Sequence, residues 1–139
     1  MAARIVVHSL TDACAALAAA ASVGCEVTLT SAAAAGGYAG PAWFKALTEE
    51  AMRTVPDARC DTVLDCGAAP GIALAALQLG LKHLRFTGNA EARRHLQAIA
   101  VQLDATIETE DLPALDLRGV RHAEARCRAW LTGKTMTRA

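Results

Sequence analysis

The sequence predicts an α/β fold, and three observations carry that reading. Short runs rich in Val, Ile, Leu and Thr recur five times along the chain. Helical patterns separate them, bounded by Ser, Asp, Asn, Pro or Gly. The length of 139 residues suits one core, since domains cluster at roughly 100–150 residues.

Residues 4–8 (RIVVH) read as the first strand. Ser9 and Asp12 stand three apart and suit the start of a helix over 12–23, which Gly24 stops. Residues 26–31 (EVTLTS) form the second strand, followed by a small-residue loop over 31–40. Pro41 fits the first turn of a helix running to about Val55. Residues 62–66 (TVLDC) are the third strand, and a helix starts at Pro70 and ends at Gly80. Residues 83–87 (HLRFT) are the fourth strand, and Asn89 caps a helix to Leu103 whose Leu96, Ile99, Ala100 and Leu103 share a face. A fifth, weaker strand covers 106–109, and Val120, Ala123, Cys127, Trp130 and Leu131 form a last amphipathic stripe beyond the Pro113 loop.

Strand–helix alternation with connections of this length implies parallel strands covered by helices. Right-handed crossovers then make the sheet doubly wound. The expected architecture is a three-layer α/β/α sandwich with a mostly parallel five-stranded sheet, flavodoxin-like or Rossmann-like. It is read as a single domain over 1–131, with 132–139 a frayed tail.

Composition narrows the function classes. Hydrophobic residues make up 53% of the chain, with alanine prominent, so helices must pack closely through small side chains. Such alanine use is typical of GC-rich bacterial coding. Aromatics are only 4%, leaving few platforms on which bases or sugars stack. Fourteen basic and fourteen acidic side chains cancel, so no global field favours nucleic acid or an anionic membrane. Positive charge gathers late, with Arg118, Arg121, Arg126, Arg128, Lys134 and Arg138 against Asp116 and Glu124. The polar face of the last helix is read as solvated. The five cysteines show no CxxC or Cys/His spacing, which argues for a reducing, cytoplasmic setting without disulfides or structural zinc. The apolar run over 13–23 follows Asp12, lacks a basic flank and is shorter than the ~20 residues a bilayer requires. It reads as a buried helix.

In open α/β sheets, ligands sit beyond the carboxyl ends of the strands. That rule selects the loops 8–12, 31–40, 65–71 and 87–89. The candidate ligand-binding residues are Asp65, Cys66, Gly67, Gly71, His8, Ser9, Tyr38, Thr87 and Asn89. The sharpest feature is Val63-Leu64-Asp65-Cys66-Gly67-Ala68-Ala69-Pro70-Gly71, where a strand ends, a glycine turn follows and a helix opens on proline. Free amides and partial positive charge at such a helix start suit a carboxylate, a phosphate or a nucleotide-like group. The loop over 31–40 is expected to close above it as a lid, with Tyr38, Trp43 and Phe44 either at the site or plugging the sheet–helix seam. Cys66 is the best candidate nucleophile, with His8 as its base, although Asp65 and Cys66 must face opposite sides of their strand.

The stretch over 63–71 resembles motif I of the class I S-adenosylmethionine-dependent methyltransferases, with Asp65, Gly67 and Gly71 at the motif's positions. The likeness covers nine residues, and it implies a nucleoside-bearing cofactor at this turn. The acidic residue which that family carries after the following strand is absent, for Phe86-Thr87-Gly88-Asn89 stands there. A fainter similarity is to the receiver domains of bacterial response regulators, in which Asp65 and Thr87 would close the third and fourth strands. That family's acidic pair after the first strand is replaced by His8-Ser9, and its lysine is missing from 106–109.

The leading expectation is a small binding domain, non-catalytic or weakly catalytic, for an anionic or nucleotide-like ligand at 65–71. No cofactor or metal is assigned. The alternatives are a homo-oligomeric assembly or regulatory module, dimerising through the C-terminal helix and Trp130, and a divergent S-adenosylmethionine-binding protein. No membrane or nucleic-acid partner is expected.

Overall fold

The computed structural model describes residues 2–133. The expectation of a frayed tail therefore falls, beyond Gly133, outside the described residues, as do Lys134 and Arg138.

The α/β fold class is as the sequence indicates. Strands β1 (Ala3–Val6), β2 (Val27–Thr30), β3 (Cys60–Asp65), β4 (His83–Arg85), β5 (Thr106–Glu108) and β6 (Leu115–Asp116) alternate with helices α1 (Leu10–Val23), α2 (Ala35–Tyr38), α3 (Pro41–Thr54), α4 (Pro70–Gln78), α5 (Ala90–Gln102) and α6 (Ala123–Leu131). The strand order is β5-β4-β3-β2-β1-β6, and the pairings β1–β2, β1–β6, β3–β4 and β4–β5 are all parallel. This is an α/β/α sandwich with a parallel sheet, consistent with flavodoxin-like or Rossmann-like topology. The sheet has six strands, not five. The extra one is only two residues long, too short for any alternation to show in sequence. The loop expected over 31–40 contains the short helix α2. The last helix starts at Ala123, so Arg118, Arg121 and His122 precede it.

The described residues fall into two compact units. One takes in residues up to Thr30, Leu47–Asp61 and those from Leu112 on; the other is Ser31–Ala46 with Thr62–Asp111.

In the first unit β1 is the middle strand, between β2 and β6. The chain leaves β1 toward β2 and returns on its other side as β6, so the winding reverses at β1. Ile5 lies level with Leu29 and Leu115, and these side chains, with Val7 and Val27, are buried. Full burial of a Leu or Ile of this kind contributes about 1.5–3 kcal/mol. Ser9 caps α1 by accepting the Asp12 amide at 3.1 Å, and Gly24, at φ 72°, closes it in the left-handed conformation that suits glycine. Ala13, Ala16, Leu17 and Ala20 form the buried stripe of α1, which packs against α6. The small side chains let the two backbones approach, and Cys127 of α6 is fully buried.

In the second unit β4 lies between β3 and β5, with Leu64 level with Leu84. Those two, Phe86, Ala73, Ala76, Leu77, Leu96 and Ala100 make its core. Asn89 caps α5 by accepting the Ala92 amide at 2.8 Å. Of the face expected on α5, Leu96 and Ala100 are buried, while Leu103 is 40% exposed because the helix has already ended. Gly88 cannot be replaced freely, because a Cβ there would stand 2.3 Å from the Phe86 ring.

Candidate functional site

The 65–71 turn lies wholly within the second unit. Strand β3 ends at Asp65, and Gly67 turns the chain at φ 60°. The Asp65 carboxylate folds back on this turn. Its Oδ1 accepts the Gly67 amide at 2.8 Å and the Ala34 amide at 3.1 Å. The Asp65 amide donates to the Ser31 hydroxyl at 2.9 Å, and the Gly67 carbonyl accepts the Thr87 amide at 2.8 Å. A Cβ on Gly67 would stand 3.1 Å from the Ala34 methyl, and one on Gly36 would stand 3.1 Å from Ile72. The segment around α2 thus sits down on the turn. Ala34 adopts a left-handed φ of 57°, a conformation that costs a non-glycine residue about 1–3 kcal/mol and that its bond to Asp65 helps hold.

Arg85 supplies the positive charge beside this carboxylate. Its Nε lies 3.8 Å from Asp65 Oδ2, and its Nη1 donates to Asp111 at 3.0 Å. Nε is shielded from water and has no hydrogen-bond partner among the described residues, since the Asp65 oxygen is beyond bonding range. Alternation of His83 and Arg85 with buried Leu84 and Phe86 was the sequence signal for a polar strand face here.

Helix α4 opens differently from α1 and α5. Pro70 occupies its first turn, and Ala69 precedes it with no side-chain cap and no acid in that turn. The first backbone bond runs from the Ala73 amide to Ala69, so the amides of Gly71 and Ile72 stand ahead of the ladder. Ala68, Pro70 and Gly71 are exposed.

Cys66 is only 2% exposed, and its sulfur faces the Leu64 carbonyl at 3.8 Å. Burial, and then the nearby Asp65, push its thiol up to about 12, so at neutral pH it is not a thiolate. Tyr38 is 70% exposed and fills no seam, whereas Phe44 is fully buried with Trp43 6.2 Å away, ring centre to ring centre. Thr87 and Asn89 follow β4, and Asn89 uses its side chain as the α5 cap.

His8 and Ser9 belong to the first unit, where the winding reverses at β1. His8 Nε2 meets Asp116 Oδ1 at 2.6 Å, and that oxygen also accepts the Arg118 amide at 2.9 Å. Burial acts to raise the Asp116 carboxyl, but the bonds from His8 and Arg118 outweigh it and hold the group below its ordinary value. The His8 amide donates to Asp12 Oδ2 at 2.9 Å, closing a reciprocal cap with Ser9. Asp116 went unseen in the sequence because 108 positions separate it from His8 and its strand carries no pattern.

The first unit also holds a hollow of about 700 Å³ at the amino ends of β1 and β2. Sequence reasoning pointed only to the carboxyl ends and gave no hint of it. Among the described residues no cluster of His, Cys, Asp and Glu could hold a metal ion, and no helix is long and apolar enough to cross a membrane. No protein-family model and no curated protein matches the chain.

Proposed function

We propose that this chain is a small α/β binding domain that takes an anionic or nucleotide-like group at the 65–71 turn. The observation that carries the reading is the bare start of α4, which has neither a capping side chain nor an acid in its first turn. By contrast α1 and α5 are capped by Ser9 and Asn89 and carry Asp12 and Glu91 in their first turns. Orphan amides at an exposed helix start are a natural seat for negative charge. Because Asp65 already holds the Gly67 amide, the group would rest one step further on, against Gly71 and Ile72. Arg85 tempers the charge of Asp65 beneath it. Of the other candidates in this unit, Tyr38, Thr87 and Asn89 are the flanking groups for the rest of a ligand.

Amide spectra of the isotopically labelled chain, titrated with inorganic phosphate, with a nucleotide and with S-adenosylmethionine, test this. Saturable shifts are expected at Gly71 and Ile72 and not at Leu10 and Thr11. A response to S-adenosylmethionine alone would favour the methyltransferase-like alternative. Absence of any saturable shift at millimolar ligand overturns the proposal. The assembly alternative through Trp130 draws less support, since its indole nitrogen donates to the Arg4 carbonyl of the same chain at 3.0 Å.

A further inference from the structure

The hollow in the first unit arises from a mismatch of strand lengths. Strand β6 pairs with β1 only at Ile5 and Val6, so the start of β1 runs on past it. The Trp130 indole donates to the Arg4 carbonyl at 3.0 Å. The end of α6 is thereby held against the start of β1, and Trp130 and Leu131 form one apolar wall of the hollow. Leu112 and Pro113 form another, just before β6. At about 700 Å³ the space falls within the range of roughly 300–1,000 Å³ that small-molecule sites occupy.

Its polar groups are few and defined. Thr28 lines it, only 7% exposed. Thr28 lies level with Arg4 on β1. Arg4 is already engaged in an interaction of its own. Glu26 and Asp61, both exposed, complete the lining, and neither has an ion-pair partner among the described residues. Apolar walls with an indole, and two carboxylates against the one guanidinium of Arg4, suit a flat apolar body bearing positive charge.

We propose that this hollow is a binding site for a small organic cation, an amine on an aromatic or similarly flat apolar body. The body lies against Trp130, Leu131 and Leu112, and the ammonium is held by Glu26 and Asp61. The site is independent of the α4 turn, so either can fail alone.

Three probes of matched shape and different charge test it: phenethylamine, 2-phenylethanol and phenylacetate. The chain has two tryptophans, so its two indole N–H signals report on Trp130 and, as an internal control, on Trp43. Phenethylamine is expected to shift the Trp130 signal saturably and to leave that of Trp43 in place. Phenylacetate should have no effect, and the neutral alcohol should bind at least tenfold more weakly than the amine. The surface double variant Glu26→Gln/Asp61→Asn, with its fold checked by circular dichroism, should lose at least tenfold in amine affinity. No saturable shift with the amine, or equal responses to all three probes, or full affinity in the double variant, overturns the proposal.

Discussion

The turns β1–α1 and β3–α4 face the same problem and solve it in different ways. Each must end a parallel strand, reverse direction and begin a helix whose first amides lack partners. In β1–α1 the side chains do this locally. Ser9 accepts the Asp12 amide, Asp12 accepts the His8 amide, and no glycine is used. In β3–α4 the carboxylate stands before the turn instead of inside the helix. Asp65 binds Gly67 and Ala34, which fixes the turn and the segment above it, and α4 is left bare. A helix start that satisfies itself has little to offer a ligand. One whose nearby acid is occupied elsewhere keeps its amides, and glycine and proline supply the backbone geometry that a capping side chain would otherwise provide.

This contrast can be broken by mutation. The largest effect is expected from Gly67→Val, which places a β-branched residue at φ 60° with its Cβ 3.1 Å from the Ala34 methyl. A loss of about 2–3 kcal/mol in urea denaturation follows from strain of this kind, whereas Leu10→Val in the other turn should change stability by under ~0.5 kcal/mol. Equal losses at the two positions would erase the distinction.

Asp65→Ala comes next. It strips the acceptor from two amides and the nearest acid from the shielded Arg85 Nε, and about 1–3 kcal/mol should be lost. Hydrogen exchange at Gly67 and Ala34 should quicken together, and unchanged exchange would mean that water replaces the carboxylate freely. Ser9→Ala removes only a cap, so about 1 kcal/mol is expected by the same denaturation assay, with exchange faster at Asp12 and unaltered at Gly71.

The smallest effect concerns pH at the carboxyl end of β1. Because the folded Asp116 carboxyl lies below its unfolded value, near 3.9, the His8–Asp116 contact stabilises the fold fully above about pH 4. That contribution fades as pH falls through the lower, folded value. Asp116→Asn should flatten this part of the stability profile, so that the variant is slightly less stable at neutral pH, Asp116 being half exposed, and the two proteins converge as the pH falls. A profile of identical shape in the variant would show that the contact carries no linkage.

Much of this molecule was legible residue by residue. The caps Ser9 and Asn89, the stop at Gly24 and the opening of α4 at Pro70 each depend on a few consecutive positions, and each lies where the sequence indicated. The opposite orientations of Asp65 and Cys66 followed from the two-residue period of a strand. Partners remote in the chain were not legible. Nothing near His8 names Asp116, nothing near Arg4 names Trp130, and Ala34 has no side chain to advertise its hold on Asp65.

By itself, then, the sequence determined the alternation of five strands with helices, their caps and stops, and the opposite facing of Asp65 and Cys66. These are set by backbone geometry and solvent preference within a few residues. Tertiary structure alone decided that a two-residue strand would flank β1, that Asp65 would hold its own turn, and that an unfilled hollow would open where β6 falls short. Each of these depends on which distant segments become neighbours, and that is settled by the packing of the folded chain rather than by any local run of residues.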